Sequence, residues 1–329
     1  MKKYLSIIIP SYNSKKTLEI CLNSIFKSEY KNFEVIVVDD SSTDNSCLIA
    51  KKFPCKLIRL KERSGLAKAR NVGASKAKGD ILVFLDSDCI VDGEWLNKIV
   101  RNFKEYDIGA TAAQYKDSIN KSFIANFAFY ELLFRESEFN KYVNTFPSCN
   151  FACKKEIFKE VGGFSEDFKN ASEDLEFSYR LGKVTKILWD PSISVAHHFR
   201  DRVNEYLKQQ FISSRDDVYL FIKQPALLLD NTFEDKTNYL EIISTAIFLM
   251  FVPLSILNLA NPFILLIPIL LILGLNINFI NLINNREGIS FSIKSVLLIY
   301  LRNFIWLFGI LNGTFRELVK IVEVKSVRI

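Results

Sequence analysis

Two pairs of aspartates each follow an apolar run of the kind that forms a buried strand. Asp86 and Asp88 come directly after residues 81–85, and Asp39 and Asp40 end an earlier run. Because alternate residues of a strand point the same way, Asp86 and Asp88 share one side. Gathered carboxylates repel each other unless a cation or hydrogen-bond donors lie between them, and hard divalent ions prefer oxygen ligands. The spacing therefore indicates a site for Mg²⁺ or Mn²⁺.

Further acids and the histidines follow downstream. Glu173 and Asp174 open a predicted helix, whose dipole favours carboxylates in its first turn. His197 and His198 are the two histidines of the sequence and end a predicted strand. Acids at a helix start and a histidine in a strand are each common without function. Together with the aspartates they become candidate metal ligands and acid–base groups.

The elements that position these residues alternate between strand and helix. Apolar runs predict strands at 5–9, 33–38, 56–60 and 81–85, and periodic segments predict the helices between them. This order predicts right-handed βαβ units in one α/β domain over residues 1–230, with a mainly parallel sheet flanked by helices. Ligands bind at the carboxyl ends of such strands, so the two aspartate pairs should face one crevice.

Composition narrows the class of protein. The net charge of +6 comes without a Lys/Arg-rich block, so we expect no nucleic-acid partner. Six cysteines lack a CxxC pair; Cys149, Cys153 and the histidines are poorly spaced for zinc, so reduced thiols are expected. The first apolar run is too short for a signal peptide, which favours a cytosolic catalytic domain.

Residues 231–329 differ in kind and predict a membrane region. Segments 242–260 and 262–283 carry no charged side chain. At about 1.5 Å per residue, each covers roughly 30 Å, enough to cross a bilayer. The segment 290–325 is interrupted by basic residues such as Arg302, which favours a membrane-surface helix with Trp306 facing lipid, while a third span is the alternative.

The spaced motifs resemble a known family. In order they read SIIIPSYN, VVDDSSTD, GLAKARNVG, FLDSD, GGFSEDF, SEDLEFSYRL and VAHHFR. They resemble family-2 glycosyltransferases of the GT-A fold, with FLDSD as the DxD motif, over about residues 5–200. The tail RNFIWLFGILNGTFREL also resembles the membrane tail of many bacterial members. The resemblance implies a GT-A catalytic domain followed by C-terminal transmembrane helices.

The resemblance also implies residue roles. A nucleotide sugar would lie across the strand ends and contact Pro10, Tyr12, Asp40, Arg70, Asp86 and Asp88. Asp88 and His197 would hold Mn²⁺ or Mg²⁺ on the diphosphate. Asp174 matches the general base that takes a proton from the acceptor hydroxyl, and one displacement at C1 inverts the anomeric configuration. Asp39, Glu173, His198 and Arg215 are further candidates for the site.

One departure concerns chain extension. Processive synthases carry QxxRW, whereas residues 209–215 read QQFISSR, which favours addition of one or a few sugars. Arg215 is either a diphosphate contact or a solvated helix charge. Residues 119–147, rich in Phe and Tyr, either face the acceptor or pack on the sheet.

The expected function is that of a membrane-anchored inverting glycosyltransferase on the cytosolic face of the inner membrane. It would move a sugar from a UDP-sugar to a hydroxyl of a lipid-linked or cell-envelope glycan, in contact with membrane lipid. A polyprenyl-phosphate glycosyltransferase, whose acceptor is a phosphate, is the alternative. A non-catalytic membrane scaffold fits less well because the acids are intact, and a dinucleotide-dependent dehydrogenase fits less well because no GxGxxG follows the first strand.

Overall fold

The structure is a computed structural model that describes residues 3–137, 139–168, 171–228 and 237–326. The described residues form two compact units. The first contains the chain up to Lys121, Glu136–Phe199 and residues 227–228; the second contains Ser122–Arg135, Arg200–Ala226 and the chain from residue 237.

This division differs from the predicted domains 1–230 and 231–329. Residues 122–135 and 200–226 group with the C-terminal helices, because Val203–Lys223 packs along Ile289–Ser326 and the rings of Phe123 and Phe127 contact Phe291 and Phe279. The predicted boundary at residue 230 lies outside the described residues.

The first unit alternates strands and helices along the chain. In order they are β1 (Leu5–Ser11), α1 (Leu18–Phe26), β2 (Phe33–Asp39), α2 (Ser46–Ala50), β3 (Lys56–Arg59), α3 (Leu66–Lys76), β4 (Ile81–Leu85), β5 (Cys89–Ile90), α4 (Trp95–Glu105), β6 (Ala110–Ala112), β7 (Tyr115–Ser118), β8 (Tyr142–Val143), β9 (Asn150–Lys154), α6 (Lys155–Val161), α7 (Glu173–Val184), β10 (Ile187–Trp189) and β11 (Val195–His197). Helix α5 (Phe123–Ser137) lies mostly in the second unit.

The main sheet has the strand order β3-β2-β1-β4-β9-β6-β10-β8. Strands β3, β2, β1 and β4 are parallel neighbours, which confirms the predicted βαβ half. Strand β9 runs antiparallel between β4 and β6, and β8 is antiparallel to β10. The antiparallel direction of β9 does not follow from local sequence, because it depends on which strands become its neighbours.

Close packing of α3 on the sheet holds the central strands and the helix together. All seven residues of β1 are buried. A Cβ atom on Gly73 of α3 would lie 2.5 Å from Ile8 Cγ2 and 3.2 Å from Val38 Cγ2. The missing side chain therefore lets the helix backbone approach β1 and β2. This approach fixes where Arg70, three residues earlier on the helix, stands at the sheet.

A second sheet of three strands, in the order β5-β11-β7, lies beyond the end of β4. Strand β11 is antiparallel to β5 and places His197 opposite Cys89. It runs parallel to β7 on its other side. This small sheet therefore places His197 next to the residues that follow Asp86.

The second unit is helical. It contains most of α5, then α8 (Val203–Lys223), α9 (Thr237–Ile256), α10 (Leu266–Leu275), α11 (Ile277–Glu287) and α12 (Ile289–Ser326). By length and composition, Thr237–Ile256 and Ile289–Val322 are candidate membrane spans. The predicted segment 262–283 becomes two helices bent by 58° at Asn276, which make a third candidate only if the pair is counted as one.

A buried polar network lies inside this helical unit. Arg302 of α12 pairs with Glu131 of α5 and, at 2.9 Å, with Glu241 of α9. The Glu241 carboxylate also accepts hydrogen bonds from Asn276 at 2.9 Å and from Asn303 at 2.7 Å. Because removing charges from water is costly unless they are paired and hydrogen-bonded, this network fixes the arrangement of α5, α9 and α12 and of the bend at Asn276.

Candidate active site

The acidic end of β4 is where the site begins. Five fully buried residues lead into Asp86, whose N–H donates to the Cys149 carbonyl at 3.1 Å. The Asp86 carboxylate accepts a hydrogen bond from Arg70 Nη2 at 2.9 Å. The other guanidinium nitrogen, Nη1, donates to Glu173 at 2.9 Å. Arg70 is almost completely buried, so it bridges two acids that are far apart in the sequence.

The shifted pKa values of these groups reflect the excess of carboxylates over cations around Arg70. Burial lowers the pKa of Arg70, but the neighbouring Asp86, Glu173 and Asp174 carboxylates raise it above its usual value. Burial and the neighbouring Asp174 raise the pKa of Glu173 to about 7, against the opposing effect of Arg70. Burial also raises the pKa of Asp86, again opposed by Arg70 and reinforced by Asp88. One guanidinium therefore does not neutralise the surrounding carboxylates, and an added cation would be favoured.

Asp88 pairs with His197. The carboxylate oxygen Oδ1 lies 3.3 Å from His197 Nε2. Burial raises the pKa of Asp88, but the His197 ring and its hydrogen bond hold it below the usual range. His198 approaches Asp88 with its backbone, whose N–H donates to the Asp88 carbonyl at 2.9 Å. The structure thus brings the His197 side chain to the DxD motif, whereas the sequence left the choice between the two histidines open.

The ligand atoms near Asp88 fit a divalent ion with oxygen and nitrogen ligands. Among the described residues, an Asp88 oxygen, a His197 nitrogen and the Cys89 sulfur lie within 4.8 Å of one another. Burial and the neighbouring Cys149 raise the pKa of the Cys89 thiol well above its usual value. A protonated thiol is a poor metal ligand, so Asp88 and His197 are the pair that would hold Mn²⁺ or Mg²⁺.

The two aspartates after β2 have different partners. Asp40 accepts hydrogen bonds from the backbone N–H groups of Ser64 and Gly65, at 2.7 and 2.9 Å. Asp40 therefore fixes the loop from which α3 begins. Asp39 instead accepts from the Ser42 N–H at 3.1 Å and pairs with an arginine of β3, Arg59, at 3.5 Å. These contacts indicate that Asp39 stabilises the turn at the end of β2.

The loop after β1 joins the neighbouring strand ends. Ser14 and Ser87 share a hydrogen bond of 2.8 Å between their hydroxyls, which connects this loop to the DxD motif. The Asn13 N–H donates to Ser42 Oγ at 2.9 Å, which connects it to the loop after β2. Sequence reasoning missed these contacts, although small polar residues after successive strands are the signal that could have suggested them.

An arginine that the sequence motifs did not suggest, Arg63, lies over the predicted donor contact Tyr12. The Arg63 guanidinium carbon lies 4.3 Å from the centre of the Tyr12 ring, a cation–π distance. Tyr12 is exposed after β1, while Pro10 lies within the strand and pairs with Val38. Because the β1–β4 ladder ends at Ile8, the missing N–H of Pro10 costs no hydrogen bond to β4.

Three non-glycine residues at the site have a left-handed backbone conformation. Asn13 has φ of 50°, Ser41 has 62° and Ser172 has 70°. They follow Tyr12, follow Asp40 and precede Glu173, so each flanks a predicted site residue. Such backbone costs about 1–3 kcal/mol and persists where surrounding contacts fix it.

The acids of α7 are held by contacts that converge on its first turns. Asp174 Oδ2 accepts from the Ser148 N–H at 3.4 Å. Arg180 makes a two-pronged pair with Glu176, at 2.6 Å for each bond, and donates to the Gly163 carbonyl at 2.8 Å. Asn71 of α3 exchanges two 2.9 Å hydrogen bonds with the backbone of Phe164. These contacts connect the loop at residues 162–164, the GGF loop, to both α3 and α7.

Two predicted features belong to the second unit. Arg215 lies on α8, where its Nε pairs with Asp216 at 2.6 Å; a diphosphate contact stays a prediction. The aromatic segment 119–147 is divided, because residues 122–135 group with the helical unit. Within that unit Phe127 is buried against Phe279 and Tyr206, so packing accounts for this part of the segment.

Comparison with known proteins identifies the fold. A structure of the mannosyltransferase PcManGT from Pyrobaculum calidifontis, in complex with GDP-Man and Mn²⁺, aligns with a TM-score of 0.62 at 18% identity. The alignment covers 96% of this chain and 88% of that one. The chain thus has a GT-A-like fold with a mostly parallel sheet, which confirms the fold predicted from the sequence.

Sequence comparison relates the N-terminal half of the chain to a known family. GlyG, a glycosyltransferase of Streptococcus pneumoniae, is 31% identical over 183 residues, 49% of this chain and 60% of GlyG. The Escherichia coli UDP-Glc:alpha-D-GlcNAc-diphosphoundecaprenol beta-1,3-glucosyltransferase WfgD is 34% identical over 131 residues, 39% of this chain and 52% of WfgD. The chain thus spans less than two thirds of either relative. The profile of the family described as Glycosyl transferase family 2 matches residues 6–162. Residues 6–162, which include the DxD strand end, therefore form a glycosyl transferase family 2 domain within this chain.

Proposed function

We propose that this protein is a membrane-anchored, inverting and non-processive glycosyltransferase. It moves a sugar from a nucleotide sugar, with UDP as the expected nucleotide, to a hydroxyl of a lipid-linked or cell-envelope glycan. The observation that carries the proposal is the Asp88–His197 pair beside Asp86, Arg70 and Glu173 at the carboxyl end of β4. Such a strand end is where an open parallel sheet binds its ligand.

The donor side follows from the contacts of the first unit. Asp88 and His197 would hold a divalent ion, which would supply positive charge to stabilise the departing nucleoside diphosphate. Arg70 pairs with both Asp86 and Glu173 and fixes the orientation of Asp86, which would contact the ribose of the donor. Tyr12 offers an exposed ring for the base, with Arg63 stacked on it, while Asp40 anchors the adjoining loop.

The acceptor side is assigned to Asp174. It stands in the first turn of α7, partly buried, with one carboxylate oxygen near the Ser148 N–H and the other near its own helix start. We assign it the removal of the proton from the acceptor hydroxyl as the oxygen attacks C1 of the sugar. A single displacement of this kind inverts the configuration at C1.

The acceptor class and location rest on the helical unit and on the names of relatives. WfgD is named for transfer to a diphosphoundecaprenol-linked sugar, and PcManGT was solved with a nucleotide sugar and Mn²⁺. The helices Thr237–Ile256 and Pro262–Leu275 expose many apolar side chains, as an anchor would. We place the catalytic unit on the cytosolic face of the inner membrane, where nucleotide sugars are made. The absence of QxxRW from residues 209–215 supports transfer of one or a few sugars.

The test compares two aspartates of the full-length protein in detergent or vesicles. Asp88→Asn removes half of the metal pair, whereas Asp92→Asn removes an acid paired with surface Lys98 at 3.1 Å. Loss of several kcal/mol of charge stabilisation should slow sugar transfer at least about 100-fold in Asp88→Asn. Asp92→Asn should keep normal turnover. A thermal-shift screen of UDP-, GDP- and dTDP-sugars with Mn²⁺ identifies the donor, since a ligand of the folded state raises Tm.

Two outcomes would contradict the proposal. Normal turnover of Asp88→Asn with saturating Mn²⁺ would remove the metal role. Absence of any heat of binding for UDP with Mn²⁺ in calorimetry would instead favour a non-catalytic scaffold.

A further inference from the structure

An apolar face of α12 is exposed from Ile289 to Val322. Nine exposed side chains follow one another at intervals of three, four or seven residues, which is one face of a helix. They are Ile289, Ile293, Leu297, Leu301, Phe308, Leu311, Phe315, Leu318 and Val322. Such a continuous exposed apolar face indicates contact with another apolar phase or protein.

The inward face of the same helix carries polar side chains beside the buried Leu298 and Ile299. Ser292, Ser295, Arg302 and Asn303 are buried against the rest of the helical unit. Trp306 is also directed inward: its ring lies 4.1 Å from the Arg302 guanidinium carbon and its N–H donates to Gln210 at 2.8 Å. This corrects the expectation that Trp306 faces lipid. A helix that buries charged and polar side chains while it exposes a continuous apolar face is suited to lipid rather than water.

The apolar face is longer than an ordinary crossing can keep in lipid. From Ile289 to Val322 it runs for 34 residues, which at 1.5 Å per residue is about 50 Å. The hydrocarbon core is about 30 Å thick, and spanning helices are tilted by roughly 20° on average and seldom more than about 40°. A crossing that kept the whole face in lipid would need a tilt beyond about 50°.

The neighbour of the C-terminal half of α12 also argues against a crossing. Helix α8 packs along it, and a Cβ atom on Gly313 would collide with the Arg215 carbonyl. Further along, Arg316 pairs with Asp216 at 3.6 Å and Lys320 stacks on Tyr219 at 5.2 Å. Charged groups are expensive within the hydrocarbon core. The residues of α12 from about 306 onward therefore lie beside a helix that belongs at the membrane surface.

We infer that α12 does not cross the membrane but lies along the surface of one leaflet, with its nine-residue apolar face toward the acyl chains and α8 on the water side. This inference rests on the membrane anchoring of the proposed function and specifies it. Arg302 is then held at the level of Glu241, near the start of α9, where charged groups can reach the interface. The helix α9 and the return segment Pro262–Leu275 remain as the inserted part.

Depth measurement separates a surface helix from a spanning one. Leu297→Cys, Leu311→Cys and Leu318→Cys, each labelled with a fluorophore, report three positions of the apolar face. They are made in the full chain with the partly buried Cys47 and Cys55 changed to serine, while the other cysteines are buried. The protein is reconstituted in phosphatidylcholine–phosphatidylglycerol vesicles that contain lipids with nitroxides at different depths. A thermal shift with UDP and Mn²⁺ confirms that each variant is folded.

The surface arrangement predicts the same shallow depth at all three positions. A spanning helix would change depth by about 1.5 Å per residue, hence by roughly 30 Å between Leu297 and Leu318. Such a gradient would overturn the inference, as would absence of lipid quenching on α12 together with concentration-dependent self-association, which would mean a second copy covers the face. Ile247→Cys on α9 is the control for anchoring, and deep quenching is expected there. If Ile247 and all three α12 positions stay unquenched, the anchoring in the proposed function is wrong as well.

Discussion

Replacing Glu173 with glutamine should remove a pH dependence of stability that arises inside the active site. Glu173 is almost completely buried and shares the Arg70 guanidinium with Asp86. Burial and Asp174 raise the pKa of Glu173 from 4.5 to about 7, although Arg70 opposes this. At about 1.4 kcal/mol per pKa unit, the shift corresponds to about 3 kcal/mol.

The sign follows from proton binding. The folded protein holds the Glu173 proton more tightly than the unfolded chain, so stability falls with rising pH between the two pKa values. The contribution is complete below pH 4.5 and is lost as the pH rises through about 7. Glutamine resembles the protonated acid and does not titrate. The stability of the wild type relative to Glu173→Gln should therefore fall by about 2 kcal/mol between about pH 5.5 and pH 8.

The assay is a thermal-shift series on the full-length protein in detergent, without metal or nucleotide. A change of about 2 kcal/mol corresponds to a relative Tm change of roughly 4 °C for a chain of this size. Glu166→Gln is the control: burial raises the pKa of Glu166, but Lys68 and Asn71 hold it below 4.5, so its Tm difference should stay constant over this range. A constant difference for Glu173→Gln would refute the reasoning and show that Arg70 keeps Glu173 ionised throughout.

Three further predictions concern the base, the GGF loop and the helical unit. Asp174→Asn should lower kcat at least about 100-fold with unchanged UDP affinity if the acceptor is a hydroxyl; near-normal turnover would favour a phosphate acceptor, which needs no base. Gly162→Ala should cost about 1–2 kcal/mol for its left-handed backbone. Gly163→Ala should cost about 1–3 kcal/mol more, because its Cβ would lie 2.7 Å from an Asn71 oxygen, and equal Tm losses would contradict this. Arg302→Leu should cost about 3–5 kcal/mol in detergent by leaving two acids unpaired, and an unchanged Tm would show that the network is not needed.

The local sequence pattern was enough to predict much of the fold of the first unit. The order of strands and helices up to β4 follows from apolar runs and helical periodicity, which depend on neighbours in the chain. The placement of Asp86 and Asp88 at one strand end follows for the same reason. The acids in the first turn of α7 are also local features, because the helix begins at Glu173.

Contacts between distant residues were decided only by the tertiary structure. Nothing in the spacing shows that Arg70 bridges Asp86 and Glu173, that His197 rather than His198 turns its side chain to Asp88, or that Arg63 stacks on Tyr12.

The same division applies to the C-terminal region. Its apolar composition indicates membrane contact, since hydropathy is a property of the sequence alone. Which side of α12 is apolar and exposed, and that Trp306 is directed inward to Arg302, depend on packing against α5, α8 and α9. Composition thus determined that these helices contact lipid. The pairing of buried charges from different helices decided which helix faces are exposed to it.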